Sequence, residues 1–295
     1  MIHGIRAKSF CIEKGLLARM GELLFGASDH RLVRPMAVIA VGTTLYVADP
    51  GAQGVHRFDP ANARYDLLRG PDDAPLLSPV ALASGAAGEV YVSDSALARI
   101  FVIRPGAKYA APLVLERALA QPTGIAYDPA LRRLHVVETA SHRVQVFDAS
   151  GRSVSAYGQR GAGPGEFNYP TLIWRAADGR LYVTDSLNFR IQVFDAQGRF
   201  VAKFGRAGDG AGDLARHKGV ALDRHGHVYV MDALLQAMQI FDDRGRLLLS
   251  LGGLGEGRGE FWLPAGISVT EDDRIYVADS HNGRVQVFRY IGGGT

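Results

Sequence analysis

A pattern of alternating hydrophobic and polar positions recurs six times along the chain, most clearly in the stretch IYVADSHNGRVQVF at 275–288. In each copy an alternating apolar run ends at an acid, a short turn follows, and a second alternating run comes next. Period-two alternation rich in β-branched and aromatic residues predicts strands, so each copy is expected to form a β-hairpin. The acids lie 44 to 47 residues apart, at Asp49, Asp94, Glu138, Asp185, Asp232 and Asp279.

Two further apolar segments complete each repeat. One precedes the hairpin and opens with Pro35, Pro79, Pro122, Pro170 or Pro264, while His217 takes that slot in the fifth unit. The other follows a turn glycine, as in residues 198–204. Four antiparallel strands repeated every 40 to 50 residues or so are typical of a propeller blade. We therefore predict an all-β fold, a six-bladed β-propeller with four antiparallel strands per blade and blades at about 35–70, 79–118, 122–158, 170–205, 217–252 and 264–290.

The first 34 residues do not fit the repeat. Leucine and methionine at helical spacing predict a short amphipathic helix over about 15–25, with an outer strand as the alternative. Blade 6 lacks a fourth strand, because only five residues follow its third. An unpaired sheet edge is unfavourable, so residues 2–12 are expected to supply this strand and close the ring. The chain is thus expected to form one domain, in which residues 1–34 join the propeller of residues 35–295.

Composition narrows the classes of partner and location. The single cysteine, Cys11, excludes an internal disulfide. The formal charge of +3 comes from basic residues spread through the repeats, so neither nucleic acid nor a membrane surface is expected as a partner. No apolar run is long enough for a membrane span or a signal peptide. As written, the sequence predicts a cytoplasmic protein, and an upstream leader would instead place it in the cell envelope.

The linkers that precede blades 4, 5 and 6 are related to one another, as GQRGAGPGEFNYP, GRAGDGAGDLARH and GGLGEGRGEFWLP. Phe167, Leu214 and Phe261 share one slot, which predicts an apolar plug between blades. These linkers, together with units such as GRLYVTDSLNFRIQVFD, resemble NHL repeats, and the six units are similar to bacterial six-bladed NHL propeller proteins over about residues 35–290. The resemblance leaves function open, because that family includes protein-interaction platforms, RNA-binding propellers and the amidating lyase that cleaves peptidyl-hydroxyglycine.

The ring of acids has two interpretations, a charged rim or cation site and a structural role. An acid that recurs in every blade is expected to have a structural role within its blade, in which it accepts backbone N–H groups across the turn. An arginine follows five residues later in four units and is expected to pair with the acid, as Arg99, Arg143, Arg190 and Arg284. Gly54 and Ala237 occupy this slot in the first and fifth units, so Asp49 and Asp232 lack that cation.

Positions that depart from the repeat are more informative about function. On the innermost strand the equivalent residues are Ile39, Ala83, Ala126, Trp174, Ala221 and Ser268. A tryptophan among small residues either fills the central channel or faces a ligand, and Arg175 beside it is likewise out of pattern.

The histidines do not form a convincing metal set. The resemblance implies that a lyase of this family would bind zinc through channel histidines, yet no matching set maps onto this chain, and His217 alone is expected at a channel mouth. Motifs for nucleophilic or nucleotide chemistry are also missing from the sequence. We therefore assign no catalytic residue, no metal ligand and no cofactor.

The leading hypothesis is a non-enzymatic binding scaffold with a protein or peptide partner on the face that carries the hairpin turns and interblade linkers. Apolar residues in turns and linkers predict a binding surface there, and with Trp174 the candidate binding residues are Tyr169, Phe189, His217, Lys218, Leu234, Leu235, Met238 and Trp262. The alternative for Leu234 and Met238 is packing against the neighbouring linker.

Two other functions are compatible with the sequence. One is a metal-dependent lyase or hydrolase at the channel mouth, similar to the amidating lyase branch of the family. The other is RNA binding, which requires cations without acid partners on one face, whereas most arginines of the turns have an acid within their repeat. The sequence does not determine the oligomeric state.

Overall fold

The computed structural model describes residues 10–12 and 32–292, which form six four-stranded antiparallel sheets. In blades 1 to 5 the strands of a sheet follow chain order, each paired with the next. The first strands of neighbouring blades contact one another around the whole ring, including the first strands of blades 6 and 1. The predicted all-β six-bladed propeller is confirmed.

The strands have the following bounds. Blade 1 contains β2 (Ala37–Val41), β3 (Thr44–Asp49), β4 (Gly54–Asp59) and β5 (Arg64–Leu68). Blade 2 contains β6 (Pro79–Ser84), β7 (Val90–Asp94), β8 (Arg99–Ile103) and β9 (Ala111–Pro112). Blade 3 contains β10 (Pro122–Asp128), β11 (Arg133–Glu138), β12 (Arg143–Asp148) and β13 (Ser153–Tyr157).

Blades 4 to 6 repeat the arrangement. Blade 4 contains β14 (Pro170–Arg175), β15 (Leu181–Asp185), β16 (Arg190–Phe194) and β17 (Phe200–Phe204). Blade 5 contains β18 (His217–Leu222), β19 (Val228–Asp232), β20 (Ala237–Phe241) and β21 (Leu247–Gly252). Blade 6 contains β22 (Pro264–Val269), β23 (Arg274–Asp279), β24 (Arg284–Tyr290) and β1 (Phe10–Ile12). Single 3₁₀ turns lie at Pro60–Asn62, Thr139–Ser141 and Ser186–Asn188.

The ring is closed by the chain's N-terminal strand. β1 pairs antiparallel with β24, with Phe10 opposite Tyr290 and Ile12 opposite Phe288. This confirms that an N-terminal strand completes blade 6 and removes its open edge. The predicted helix over about 15–25 lies outside the described residues, as do residues 2–9 of the predicted strand.

The core lies between adjacent sheets. Residues of blades 6 and 1 share one apolar cluster, in which Val47 and Ala278 are fully buried. The predicted linker plugs are confirmed, because Phe167, Leu214 and Phe261 are also fully buried. Within the described ranges, no helix is both long enough and apolar enough to cross a membrane.

The structural interpretation of the acids is confirmed. All six are buried, and each accepts backbone N–H groups, as Asp94 does from Leu77, Ser78, Ala96 and Leu97. Three of the four expected arginine pairs form, at Glu138–Arg143, Asp185–Arg190 and Asp279–Arg284. The fourth is wrong: among the described residues Arg99 forms no ion pair with Asp94, and its side chain is exposed.

Candidate binding site on the hairpin-turn face

One face of the ring collects the hairpin turns and the interblade linkers. In blade 6, Pro264 at the start of β22 lies opposite Asp279 at the end of β23. The linker that enters a blade and the turn after its second strand therefore lie at the same end of the sheet, because the two strands are antiparallel. We call this end of the ring the hairpin-turn face.

A cavity of about 540 Å³ opens on the hairpin-turn face between blades 5, 6 and 1, and we call it the turn-face cavity. Its volume lies within the range of about 300 to 1,000 Å³ that is usual for ligand pockets. Small and apolar side chains form much of its wall, among them Met36, Ala233, Leu263, Pro264 and Ala265.

Three cations also line the turn-face cavity: Arg34, Arg216 and Lys218. Within the part of the chain that the structure describes, none of these side chains forms an ion pair or a hydrogen bond. The nearby acids Asp49 and Asp232 are fully buried and accept backbone N–H groups, including those of Arg34 and Arg216. The cavity therefore combines apolar walls with three cations that have no ion-pair partner among the described residues.

Lys218 is half-buried at the start of β18. Burial lowers the pKa of its ammonium group, and the nearby Arg216 lowers it further. Thr184 of blade 4 donates its hydroxyl to the Lys218 carbonyl at 2.9 Å, which fixes the backbone at this point. The backbone that carries the Lys218 side chain is thus fixed beside the cavity.

His217 does not reach the surface. Its side chain is 1% exposed, and Nε2 lies 3.1 Å from the Arg190 carbonyl. Burial lowers the pKa of His217, which keeps the ring neutral. The prediction that His217 presents a side chain for binding is therefore wrong, because the slot that proline fills in other blades faces the protein interior.

Aromatic and aliphatic groups border the turn-face cavity. Trp262 is 38% exposed and packs on His281, a cavity residue, with ring centroids 4.1 Å apart. Leu234, which follows Ala233 in the blade 5 turn, is 62% exposed. Leu263 lines the cavity with a φ of 48°, and its N–H donates to Gln236 Oε1 at 2.7 Å. Exposed apolar side chains thus continue outward from the cavity.

The structure separates the other candidate residues. Met238 is fully buried in the core between blades 5 and 6, so its predicted place in an exposed patch is wrong. The reason is that β20 already begins at Ala237, which makes the turn shorter than the sequence indicated. Leu235 is half-buried. Tyr169 packs on His142, Phe189 packs on the core between blades 4 and 5, and neither lines the turn-face cavity.

Trp174 lies at the opposite end of the channel. It is half-buried against the core of blades 4 to 6 and lines a second cavity of about 300 Å³ at the far ends of the innermost strands. Arg175 lines this cavity too, and its Nε is 3.3 Å from Asp128 Oδ2. Trp174 is therefore not brought together with the residues of the hairpin-turn face.

Sequence reasoning missed Arg34, Arg216 and Leu263. Each immediately precedes the proline slot of its blade, which His217 occupies in blade 5. The other blades have Ser78, Gln121 and Tyr169 at this position. Two arginines at this slot were a usable signal, but they stand in blades 1 and 5, and only ring closure shows that these blades flank the same cavity.

Histidines and acids do not converge on a metal centre in the described ranges, where no group of three or more potential ligands is placed to hold an ion. His227 Nδ1 lies 2.6 Å from Asp223 Oδ2, and His225 Nε2 lies 3.5 Å from Asp273 Oδ2. These pairs lie at the end of the blades opposite the hairpin-turn face.

Two family models match parts of the chain. Residues 261–288 match the NHL repeat, and residues 174–238 match a family described as a 6-bladed beta-propeller. Together with the six sheets, these matches show that the chain is a six-bladed β-propeller in which residues 261–288 match the NHL repeat. No curated protein matches the chain by sequence.

Solved structures with different activities share the fold. Virginiamycin B lyase from Staphylococcus aureus has a TM-score of 0.64 at 14% identity, covering 88% of this chain and 96% of its own. An auxiliary nutrient binding protein from Bacteroides thetaiotaomicron has a TM-score of 0.69 at 12% identity, covering 89% and 70%. Kuenenia stuttgartiensis hydrazine synthase has a TM-score of 0.62 at 14% identity, covering 89% and 97%. At such identities the likeness shows the fold alone.

Proposed function

We propose that this protein is a non-enzymatic binding scaffold that takes up a protein or peptide on its hairpin-turn face. The observation that carries the proposal is the turn-face cavity, whose apolar wall continues into the exposed side chains of Leu234, Trp262 and Leu263. A cavity bordered by exposed apolar groups and a polar rim marks an interaction site, and aromatic residues are enriched in such interfaces.

The same face supports a peptide better than a nucleic acid. Phosphate-backbone binding uses an extended series of cations that are free to replace counterions. Arg143, Arg190 and Arg284 of the turns are each paired with an acid of their own blade, so their charges are already compensated. The cations of the turn-face cavity, which have no ion-pair partner among the described residues, instead stand among apolar walls.

The test compares two leucines at the same position of their turns. Leu234 of blade 5 and Leu187 of blade 4 each lie two residues after the acid, and they are 62% and 52% exposed. Peptides found by fluorescence polarisation against the full chain are titrated with Leu234→Ser and Leu187→Ser. We expect Leu234→Ser to weaken binding about tenfold or more, as hot-spot truncation does, and Leu187→Ser to leave it unchanged.

Both variants should melt as the wild type does, because both side chains are exposed. Equal effects of the two substitutions on affinity, or no effect of Leu234→Ser, would contradict binding at the turn-face cavity. Conversion of a bound ligand with time, abolished by a chelator, would favour the alternative of a metal-dependent lyase or hydrolase.

A further inference from the structure

We propose that the turn-face cavity binds the C-terminal carboxylate of a peptide, with Lys218 and Arg216 as its charge partners and the apolar wall around the last side chain. This inference rests on the proposed function and names the chemical group that the site recognises.

The first support is a group of three cations without an ion-pair partner in the described part of the chain. Arg34, Arg216 and Lys218 converge on one cavity, and none has an ion-pair partner within residues 10–12 and 32–292. A half-buried ammonium beside another cation is unfavourable without an anion, and burial together with Arg216 lowers the pKa of Lys218. A carboxylate between Lys218 and Arg216 would remove this cost.

The second support is the distribution of these cations around the ring. The residue before the proline slot is Ser78, Gln121, Tyr169 and Leu263 in blades 2, 3, 4 and 6, and arginine stands there only in blades 1 and 5. Blades 1 and 5 flank blade 6, so both arginines reach the same cavity. Lys218 stands one residue after the slot, where other blades have Met36, Val80, Thr123, Thr171 and Ala265.

A small side chain in blade 5 contributes to the wall of the cavity. In blades 3 and 6 the hydroxyl of the residue after the acid donates to a carbonyl at the start of the next blade, as Thr139 does to Pro170 and Ser280 to Pro35. Blade 5 has Ala233 where blade 3 has Thr139 and blade 6 has Ser280. The space left beside Ala233 and Ala265 forms part of the apolar wall.

The walls favour a peptide carboxylate over a phosphate group. A cavity of about 540 Å³ holds one or two amino-acid residues, and its alanine, proline and leucine side chains match an apolar terminal residue. Arginine and lysine bind carboxylates and phosphates alike, since the guanidinium can form two parallel hydrogen bonds with either group, so the apolar wall is what favours a peptide end. Leu234 and Trp262 outside the cavity provide contacts for the residues that precede the chain end.

The experiment uses ten-residue synthetic peptides, each made as the free acid and as the C-terminal amide, and measured by fluorescence polarisation against the full chain. We expect amidation to weaken binding about tenfold or more, which is about 1.4 kcal/mol. Lys218→Met and, separately, the more exposed Arg216→Met should reduce the difference between acid and amide to about threefold or less. Lys203→Met on the outer strand of blade 4 is the matched control and should leave the difference intact.

The outcomes separate the two proposals. Equal binding of acid and amide, with Leu234→Ser still weakening both, would overturn the carboxylate inference and leave the binding scaffold standing. Absence of any peptide whose binding depends on Leu234 would overturn both. Competition by inorganic phosphate at tenfold lower concentration than acetate would overturn the carboxylate assignment, because the site would then prefer another anion.

Discussion

The side chain of Arg190 joins the second strand of blade 4 to the linker that precedes this blade. Its Nε donates to Asp185 Oδ2 at 2.7 Å, while its terminal nitrogens donate to the carbonyls of Ala162, Gly163 and Glu166 in the preceding linker. Arg284 makes the equivalent contacts in blade 6. The repeated acid and its arginine are thus a structural clamp for the linker.

The first prediction concerns this clamp. Arg190→Met should lower the free energy of unfolding by about 3 kcal/mol or more, because it leaves the fully buried Asp185 without its cation. The measurement is chemical denaturation followed by tryptophan fluorescence.

Arg99→Met is the control, since Arg99 occupies the same slot in blade 2, is exposed, and has no ion pair in the described part of the chain. It should change stability by no more than about 0.5 kcal/mol. If Arg190→Met lowers the free energy of unfolding as little as Arg99→Met does, the ion pair and the linker contacts of Arg190 contribute little to stability.

At the scale of the element, the innermost strands of blades 5, 6 and 1 approach one another so closely that Gly219 and Gly266 have no room for a Cβ. A Cβ on Gly219 would lie 2.7 Å from the Ala265 carbonyl oxygen, and a Cβ on Gly266 would lie 2.5 Å from that of Met36. These glycines come two residues after the start of the first strand, so they set the spacing between blades 5, 6 and 1.

The second prediction tests that close approach. Gly266→Ala should destabilise the protein by about 1 to 3 kcal/mol, because the backbone of Met36 must move to admit the methyl group. Gly253→Ala should be near neutral, since a Cβ there meets nothing within 4 Å. Differential scanning calorimetry measures both, and a Gly266→Ala melt equal to that of Gly253→Ala would contradict the packing argument.

At the scale of the whole molecule, stability depends on groups that the closed ring keeps out of water. His135 is 1% exposed, and neither ring nitrogen has a hydrogen-bond partner in the described structure. Burial lowers the pKa of His135 from 6.5 to about 4, although Asp128 opposes the shift. The pKa of His217 is lowered for the same reason.

The third prediction follows from these shifts. A histidine whose pKa is lower in the folded state binds protons mainly when unfolded, so stability should fall as pH drops from about 6.5 to 4. His135 alone accounts for about 3 kcal/mol over this range. Buried acids with lowered pKa, such as Asp49 and Asp223, add their loss at lower pH, below about 4.

Melting temperatures between pH 7 and pH 4.5 measure the effect. His135→Leu should flatten the dependence, whereas His225→Leu, at a side chain that is 42% exposed, should keep the slope of the wild type. An unchanged slope in His135→Leu would show that His135 is not buried as a neutral ring.

The sequence alone determined the blades, because the hydrogen bonds of a hairpin join residues that are close along the chain. Alternation, turn residues and a period of 44 to 47 residues predicted every sheet, and the incomplete blade 6 predicted closure by the N-terminus. The common role of the six acids could also be predicted, because identical positions in a repeat experience similar surroundings.

Only the tertiary structure decided the candidate site. Arg34 and Lys218 are distant along the chain and line one cavity because blade 1 packs against blade 6 when the ring closes. Whether an apolar residue near a turn is exposed depends on where the next strand begins. Met238 lies within β20 and is buried, whereas Leu234 precedes this strand and is exposed. The strand pairing within a repeat depends on residues that are close along the chain, and a local pattern can therefore predict it. A cavity between three blades is lined by residues that are far apart along the chain, so no local pattern predicts it.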